Sequence, residues 1–357
     1  MTDSHVLVTG AFGQVGTAVV SALSAEGHTV TATDLDNADN RRREAAMTAQ
    51  PGVQVQWADL TNAVEVDRMV RAVAPGAVIH LAAIIPPFCY ARRDLARVVN
   101  VDATAHLIAA ASAISTPPRF ALASSVAVYG ARNPHCTNDL LTVRTQRRPS
   151  DLYGSHKVMA EDSLMSSDLD WVVLRLGGVL TAQPRWRIDP EMVAFEALLP
   201  IDGRIHTVDV RDVAAAFVSA ATKSVSREVF LIGGDATHRI TQGAITADIS
   251  AAMGLRGGMP PGRPGDPRNN QEWFATDWMD TAASQDVLGF QCHSLPDMFA
   301  ELRRTVGWRR WPLHLVAPVT RAYLSRRAPY RGIPGHYAQP WQVISERWGD
   351  PGPDAMH

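Results

Sequence analysis

The chain has 357 residues, of which 46% are hydrophobic and 20% are charged, and its formal net charge is −2. This length allows one large α/β unit with a smaller appendage, or two modest domains. The composition is that of a globular protein and excludes a disordered chain. Because the net charge is close to zero, we expect no nucleic-acid partner and no general attraction to anionic membranes.

The cysteines and histidines predict neither a disulfide framework nor a metal site. The three cysteines, Cys89, Cys136 and Cys292, are far apart, which favours a reducing, intracellular compartment. The twelve histidines form no HExxH or Cys/His ligand spacing. The first residues lack the basic and apolar segments of a signal peptide, and there is no apolar run of about 18 residues. We therefore expect a soluble, cytoplasmic protein without a membrane span.

The first half of the chain alternates strand-like and helix-like segments. Strands are predicted over residues 5–9, 29–34, 53–57, 77–81, 120–124 and 171–176, and helices over 15–26, 63–73, 95–113 and 153–165. Strands that are apolar throughout and separated by helices indicate a parallel sheet covered on both faces. The predicted fold class is therefore α/β, a doubly wound Rossmann sheet with a smaller, mostly C-terminal substrate domain.

The alternation becomes irregular after residue 178. A helix is predicted over 210–221, a strand over 228–232 and a helix over 241–253, whereas 254–270 is rich in Gly, Pro and Arg and predicts a loop. That loop is either a plain connection or a cover over a substrate pocket. We predict a dinucleotide-binding domain over 1–176, to which 207–232 returns. The substrate-binding region is predicted over 177–206 and 233–310, followed by an extension over 311–357.

The last fifty residues are rich in tryptophan and arginine. They contain four tryptophans, Trp308, Trp311, Trp341 and Trp348, and an apolar stretch interrupted by Pro318. One interpretation is an interfacial segment in peripheral contact with a membrane or a lipid-like substrate. The alternative, which the composition favours, is a tail that packs on its own domain or on a second subunit.

A glycine-rich motif, TGAFGQVG, follows the first strand and opens the first helix. Gly10 permits a tight turn, Gly13 lets the backbone approach a pyrophosphate, and Gly16 allows close helix–strand packing. The helix N-terminus offers free N–H groups and a partial positive charge to phosphates. The motif predicts a dinucleotide site, which also includes the other loop residues Phe12, Gln14 and Val15.

Asp34 lies at the end of the second strand, 24 residues after Gly10. Its carboxylate can accept hydrogen bonds from ribose hydroxyls and would repel a 2′-phosphate, so NAD is favoured over NADP as cofactor. The basic run Arg41, Arg42 and Arg43 is the feature most able to reverse this preference. We interpret that run as part of a solvated loop.

Tyr153 and Lys157 form the segment YGSHK and share one face of a predicted helix. A neighbouring ammonium favours the phenolate, so Lys157 is expected to lower the pKa of Tyr153 and make proton transfer practicable. Ser125 ends the fifth strand, where sheets of this class bind ligands, and its hydroxyl can bond the reacting oxygen. These three residues are the predicted catalytic group.

The sequence resembles the extended short-chain dehydrogenases/reductases, which include nucleotide-sugar epimerases, dehydratases and hydroxysteroid dehydrogenases. The matching pieces lie between residue 5 and about 305. They are TGAFGQVG, Asp34, Asp59–Leu60, HLAA at 80–83, Asn100–Val101 with Thr104, SSVAVYG at 124–130, YGSHK, VRDVA at 210–214 and DTAASQDVLGF at 280–290.

Several further site residues follow from this resemblance alone. It implies that Asp59 and Leu60 flank the adenine and that Asn100 supports the catalytic helix region. It also implies a cofactor cleft lined by Leu81, Ala82 and Ala83. The family further implies a homodimer formed through the helices at 95–113 and 153–165.

Three departures from the family pattern indicate which branch to expect. Gly178 stands where sugar-nucleotide enzymes carry Asn, and Ile205 stands where they carry the arginine that binds diphosphate, although Arg204 is adjacent. The dehydratase acid and base are replaced by Val126 and Ala127. Dehydration is therefore not expected.

The primary hypothesis is hydride transfer between NAD and a secondary alcohol or ketone of a small substrate that is not a sugar nucleotide. The apolar run at 84–88 favours a hydrophobic substrate, although it is equally consistent with core packing. A sugar-nucleotide epimerase is the alternative within enzymes. A non-catalytic protein that senses the dinucleotide is the alternative from another class.

Overall fold

The computed structural model describes residues 5–184 and 189–355, and its centre is a seven-stranded parallel sheet. The strands lie in the order β3-β2-β1-β4-β5-β6-β9, the arrangement of a doubly wound dinucleotide-binding fold. Their bounds are β1 His5–Thr9, β2 Thr29–Thr33, β3 Val53–Val55, β4 Ala77–His80, β5 Arg119–Ser125, β6 Trp171–Leu176 and β9 Glu228–Ile232. The predicted Rossmann fold class is confirmed.

Helices cover both faces of the sheet, so each face has its own hydrophobic core. The helices up to α9 are α1 Gln14–Ala25, α2 Ala38–Thr48, α3 Ala63–Val73, α4 Phe88–Ala91, α5 Arg93–Arg97, α6 Ala103–Ser112, α7 Leu152–Met165, α8 Pro190–Glu196 and α9 Val210–Thr222. One face of the sheet packs against α1 and α9, and the other against α3, α6 and α7. Burial on both sides explains why the strands are apolar throughout.

A second, smaller sheet lies outside the central one. It has the order β10-β8-β7, with β7 Gly178–Leu180, β8 Arg204–Asp209 and β10 Arg239–Thr241. The remaining helices are α10 Gln242–Met253, α11 Ala282–Leu288, α12 Leu295–Val306, α13 Arg310–Arg326 and α14 Pro340–Trp348. The predicted loop at 254–270 contains no helix or strand.

Two predictions about local structure were wrong. Residues 38–48 form α2 rather than a solvated loop, and the side chain of Asn37 begins this helix by accepting a hydrogen bond from Asn40 N. The single helix predicted over 95–113 is divided into α5, a π-helical turn at Val98–Asp102, and α6. Neither feature can be read from the apolar spacing of the sequence. Helix α2 is polar on all sides, and the π-helical turn adds only about one residue to a single turn of the helix.

Two kinds of feature, a membrane-spanning helix and a metal site, are absent from the residues that the structure describes. Within residues 5–184 and 189–355, no helix combines the length and apolarity needed to cross a membrane. The same ranges contain no group of three or more His, Cys, Asp or Glu side chains placed to hold a metal ion.

Candidate active site

The glycine-rich loop lies where the strand order reverses, because β1 pairs with β2 on one side and with β4 on the other. Gly10 has a φ of +65°, and a Cβ there would lie 2.7 Å from the backbone nitrogen of Ala82. A Cβ on Gly16 would collide with the carbonyl oxygen of Gly10. Gly13 is exposed at the N-terminus of α1. The loop therefore has the shape that a pyrophosphate requires.

Asp34 follows β2 and faces this loop. Its Oδ2 accepts a hydrogen bond from Phe12 N at 3.0 Å, and its Oδ1 accepts one from Leu35 N at 2.9 Å. The Phe12 ring stacks on Trp57 with 5.1 Å between ring centroids. This corner presents a half-buried carboxylate beside the loop, which fits a ribose diol and disfavours a 2′-phosphate.

The three arginines of α2 lie at the same corner but have different partners. Arg43 donates to the carbonyl oxygen of Phe12 at 2.6 Å and to Asn40 Oδ1 at 2.7 Å. Arg41 and Arg42 form ion pairs with nearby acids, namely Asp36, Glu44 and Asp39. Because two of the three cations are already paired with carboxylates, the corner keeps little free positive charge for an extra phosphate.

The residues that follow β4, Leu81, Ala82 and Ala83, are half-buried, and the backbone of Leu81 and Ala82 lies against Gly10 of the glycine-rich loop. Their contact with a cofactor stays a prediction. Asn100 is buried, and both polar atoms of its side-chain amide bond to the backbone of Ile84, the residue after Ala83. Its Oδ1 accepts from Ile84 N at 2.7 Å, and its Nδ2 donates to Ile84 O at 2.9 Å. Asn100 therefore fixes the segment that leaves the sheet after β4.

Helix α7 carries the Tyr/Lys pair of the predicted catalytic group. The carboxylate of Asp151 begins this helix by accepting a hydrogen bond from Gly154 N at 3.0 Å. Lys157 is buried, and its Nζ donates to Ala123 O of β5 at 2.7 Å. The same Nζ lies 5.6 Å from the centre of the Tyr153 ring. The lysine is thus fixed between the sheet and the tyrosine.

Ser125 is the last residue of β5 and is half-buried. Its Oγ accepts a hydrogen bond from Ala127 N at 3.2 Å. Because that bond uses only an acceptor site, the hydroxyl proton of Ser125 can still be donated to a substrate oxygen.

The pKa of Tyr153 departs from the prediction made from the sequence. Burial raises the pKa of this phenol above its ordinary value, and Cys89 and Asp151 add to the rise. Burial also lowers the pKa of Lys157 to about 8, against the attraction of Glu161. The expectation of a lowered phenol pKa was therefore wrong for this structure, because burial, the largest cause, disfavours the charged phenolate.

A buried ionic network connects α7 to the central sheet. Glu161 of α7 is buried and accepts from Arg175 Nε at 2.9 Å and Nη2 at 2.7 Å. Its carboxylate also accepts from Ser124 Oγ at 2.5 Å and from Arg147 at 3.1 Å. The free face of the Arg175 guanidinium donates to Tyr129 Oη at 2.7 Å. The network joins α7 to β5 and β6.

Residues 6–198 match the model of the NAD dependent epimerase/dehydratase family. The chain belongs to this family. A similar curated protein is the D-erythronate dehydrogenase of Cupriavidus necator, 37% identical over 107 residues, which are 28% of this chain and 31% of that protein. Another is the UDP-glucose 4-epimerase of Azospirillum brasilense, 31% identical over 199 residues, which are 52% and 54% of the two chains. The chain thus spans about a third to a half of the length of these curated relatives.

Two solved structures of related fold align with 85% or more of this chain. MoeE5 in complex with UDP-glucose and NAD is 22% identical, with a TM-score of 0.65 over 87% of this chain and 99% of the other. The UDP-glucose 4-epimerase of Thermus thermophilus in complex with NAD is also 22% identical, with a TM-score of 0.66 over 85% and 98%. At this identity the likeness establishes the shared fold.

Asp59 and Leu60 lie between β3 and α3 of the family chain. Asp59 is exposed, and its Oδ1 accepts from both the backbone and the hydroxyl of Thr61. Leu60 is buried in the core beside α3 and α6. Contact of either residue with an adenine stays a prediction.

Arg204 of β8, which is adjacent to Ile205, has its partners within the protein. Arg204 donates to the carbonyl oxygen of Thr137 at 3.0 Å, and its guanidinium lies 4.6 Å from the centre of the Trp278 ring. A Cβ on Gly178 would lie 2.8 Å from Ile205 Cδ1. The guanidinium of Arg204 is therefore engaged within the protein, whereas a substrate diphosphate needs a cation that faces the pocket.

The C-terminal segment packs on its own domain, as the composition favours, but the sequence does not predict that it contacts α7. The carbonyl oxygen of Pro351 accepts from Leu152 N at 2.7 Å. The backbone nitrogen of Asp354 donates to Ser155 Oγ at 3.1 Å, and its carboxylate lies 2.9 Å from His156 Nε2. The end of the extension thus supports the first turns of the helix that carries Tyr153, and no local signal in the sequence indicates it.

Proposed function

We propose that the chain is an NAD-dependent enzyme that transfers a hydride between the nicotinamide and a secondary alcohol or ketone of a small substrate. The observation that supports this proposal is that Lys157, 5.6 Å from the centre of the Tyr153 ring, is hydrogen-bonded to Ala123 of β5, the strand that ends at Ser125. In the sheet, β4 lies between β5 and β1, the strand that leads into the glycine-rich loop. NAD, when bound, supplies the hydride acceptor. The shape of the Gly10 turn and the carboxylate of Asp34 fit this cofactor better than NADP.

Each of the three side chains has a role that follows from its contacts. Ser125 donates its free proton to the reacting oxygen and so orients the substrate. Tyr153 exchanges a proton with that same oxygen. Lys157 holds a positive charge near the phenol and is itself held by Ala123 O. A positive charge beside a phenol favours its ionised form.

The raised pKa of Tyr153 has a consequence for the direction of proton transfer. At neutral pH the phenol keeps its proton before a substrate arrives, because burial disfavours the phenolate. It is therefore ready to protonate the oxygen of a ketone as that ketone is reduced. Oxidation of an alcohol requires the opposite transfer, for which the charge of Lys157 must lower the pKa of the phenol.

A sugar-nucleotide 4-epimerase is the second candidate, and the relatives favour it over a net dehydrogenase. The UDP-glucose 4-epimerase of Mycoplasma genitalium, 27% identical over 185 residues, adds to the relative from Azospirillum brasilense. Epimerisation uses the same three side chains, because the alcohol is oxidised and the resulting ketone is reduced from the other face. One observation disfavours this candidate: the guanidinium of Arg204 is already engaged within the protein and does not face a substrate diphosphate.

The test is Tyr153→Phe, with the exposed Tyr323→Phe as matched control. We expect Tyr153→Phe to bind NAD as the wild type does while losing NADH formation with alcohols and conversion of UDP-glucose to UDP-galactose. Conversion without net NADH release identifies the epimerase, and release of NADH identifies the dehydrogenase. Full activity in Tyr153→Phe would contradict both. A wild type that binds NAD and turns over neither class of substrate would support the sensor.

A further inference from the structure

Helix α13 leaves an apolar stripe exposed on its outer face. The stripe consists of Trp308, just before the helix, and of Trp311, Leu315, Val319 and Tyr323, which follow one another at four-residue spacing. Their exposed fractions are 74%, 80%, 79%, 70% and 50%. Residues four apart share one face of a helix, so the stripe is continuous.

The opposite face of α13 packs on the protein. Ala317 is buried, and Leu313 contacts the small core formed by Ala252, Leu302 and Val306. The helix is therefore docked by its inner face, and the large side chains of Trp311, Leu315 and Val319 point away from the protein. A contiguous exposed patch of this kind marks a surface with a partner.

The charge around the stripe is strongly positive. Residues 302–345 contain no Asp or Glu but eight arginines, Arg303, Arg304, Arg309, Arg310, Arg321, Arg326, Arg327 and Arg331. Five of them lie before or after the stripe in the sequence, and the other three, Arg309, Arg310 and Arg321, lie between its residues, so the segment is basic along its whole length. Since the whole chain has a net charge of −2, the rest of it is acidic on balance. Within the described ranges, Arg303, Arg304, Arg321 and Arg326 form no ion pair with a carboxylate.

We propose that α13 is an interfacial helix that binds an anionic phospholipid surface. Tryptophan side chains prefer the boundary between headgroups and acyl chains, and arginines bind anionic headgroups. A helix of 17 residues is about 25 Å long at 1.5 Å per residue, so it lies in the interface instead of crossing it. This proposal extends the function of the chain beyond hydride transfer and does not depend on it.

A second copy of the chain fits the stripe less well. A two-fold contact places the same patch on both subunits. It would bring the arginines of one copy against those of the other, with no acidic residue between 302 and 345 to pair with them. Like charges facing each other across an interface disfavour it, whereas an anionic bilayer neutralises them.

The test measures co-sedimentation of the full chain with sucrose-loaded vesicles. One vesicle set is phosphatidylcholine alone, and the other is phosphatidylcholine mixed with phosphatidylglycerol. We expect the wild type to sediment with the mixed vesicles and to be released by high salt, because surface charge contributes to the binding. The triple variant Trp311→Ser, Leu315→Ser, Val319→Ser is expected to lose binding. The matched control Val64→Ser, also at an exposed apolar position, is expected to keep it.

The charge contribution has its own pair of variants. Arg321→Gln with Arg326→Gln is expected to lower the partition coefficient by roughly tenfold or more, from the contribution of each basic residue near an anionic surface. The matched control is Arg68→Gln with Arg144→Gln, two exposed arginines outside the segment. Circular dichroism checks that all variants are folded.

Two results would overturn the proposal. The first is a wild type that sediments no better with mixed vesicles than with phosphatidylcholine alone. The second is a dimer, seen by analytical ultracentrifugation, that the triple variant dissociates, because the stripe would then be an interface between two copies. Neither result involves turnover, so both leave the proposed hydride transfer unaffected.

Discussion

The buried pair of Glu161 and Arg175 gives a prediction whose size follows from its contacts. Glu161 is fully buried and accepts four hydrogen bonds, three of them from arginine nitrogens. Replacing Glu161 by Gln keeps the size of the side chain but removes its charge. Arg175, which is 4% exposed at its side chain, is then left with its charge uncompensated inside the protein.

Breaking a buried ion pair on one side costs about 3–5 kcal/mol. We expect Glu161→Gln to lose about this much free energy of unfolding. With a dependence of about 3 kcal/mol per molar urea, the unfolding midpoint falls by about 1 M or more. The same change removes the charge that raises the pKa of Lys157, so the alkaline limit of activity should move to lower pH.

Two further variants test the predicted loss of stability in Glu161→Gln. Asp162→Asn, one residue further along α7, breaks only a half-exposed pair with Arg147 and should cost less than about 1 kcal/mol. The double variant Glu161→Gln, Arg175→Met removes both charges and should be more stable than Glu161→Gln alone. Equal losses for Glu161→Gln and Asp162→Asn, or no recovery in the double variant, would show that the network does not stabilise α7 as described.

Four further predictions concern the cofactor, the ammonium and the C-terminal segment. Asp34→Ala should lower kcat/KM for NAD by about tenfold or more, because hydrogen bonds to the ribose are lost. It should also lower the ratio of kcat/KM for NAD to kcat/KM for NADP, which steady-state assays with both cofactors measure. Gly10→Ala should abolish NAD binding in calorimetric titration because of the close backbone behind it, whereas Gly27→Ala, which has a similar φ of +83° and no atom within 4 Å of its Cβ, should not. Activity should fall as the pH rises through about 8, where Lys157 loses its proton, and a rate that is constant up to about pH 10 would contradict that role. Asp354→Ala should lower the unfolding free energy by about 1–3 kcal/mol, measured in urea, because its charged hydrogen bonds to neighbouring side chains are lost.

The sequence predicts the central sheet and the cofactor loop because both depend on local pattern. Apolar runs give the strands, and the spacing of Gly10, Gly13 and Gly16 gives the turn between β1 and α1. Tyr153 and Lys157 are found for the same reason, since four residues on one helix fix their relation. The family match and the seven-stranded sheet confirm the predicted family and fold, whereas the roles of the three glycines, Tyr153 and Lys157 stay predictions.

The parts that were missed depend on contacts across the fold. Glu161 is an ordinary helical residue in the sequence, and its role appears only when β6 brings Arg175 beside it. The lowered pKa expected for Tyr153 was wrong because burial depends on how the surrounding segments pack, which the pair alone does not specify. Helix α2 was missed because its polar surface has no apolar periodicity to detect.

The contact between the C-terminal segment and α7 has a consequence for synthesis. Ser155 and Asp354 are 199 residues apart in the chain, yet they are hydrogen-bonded at the first turns of α7. While the polypeptide leaves the ribosome from its N-terminus, the sheet and α7 are already outside before residues 350–354 exist. The helix that bears Tyr153 therefore receives this support only after residue 354 has been synthesised, and a nascent chain that stalls before residue 350 lacks it.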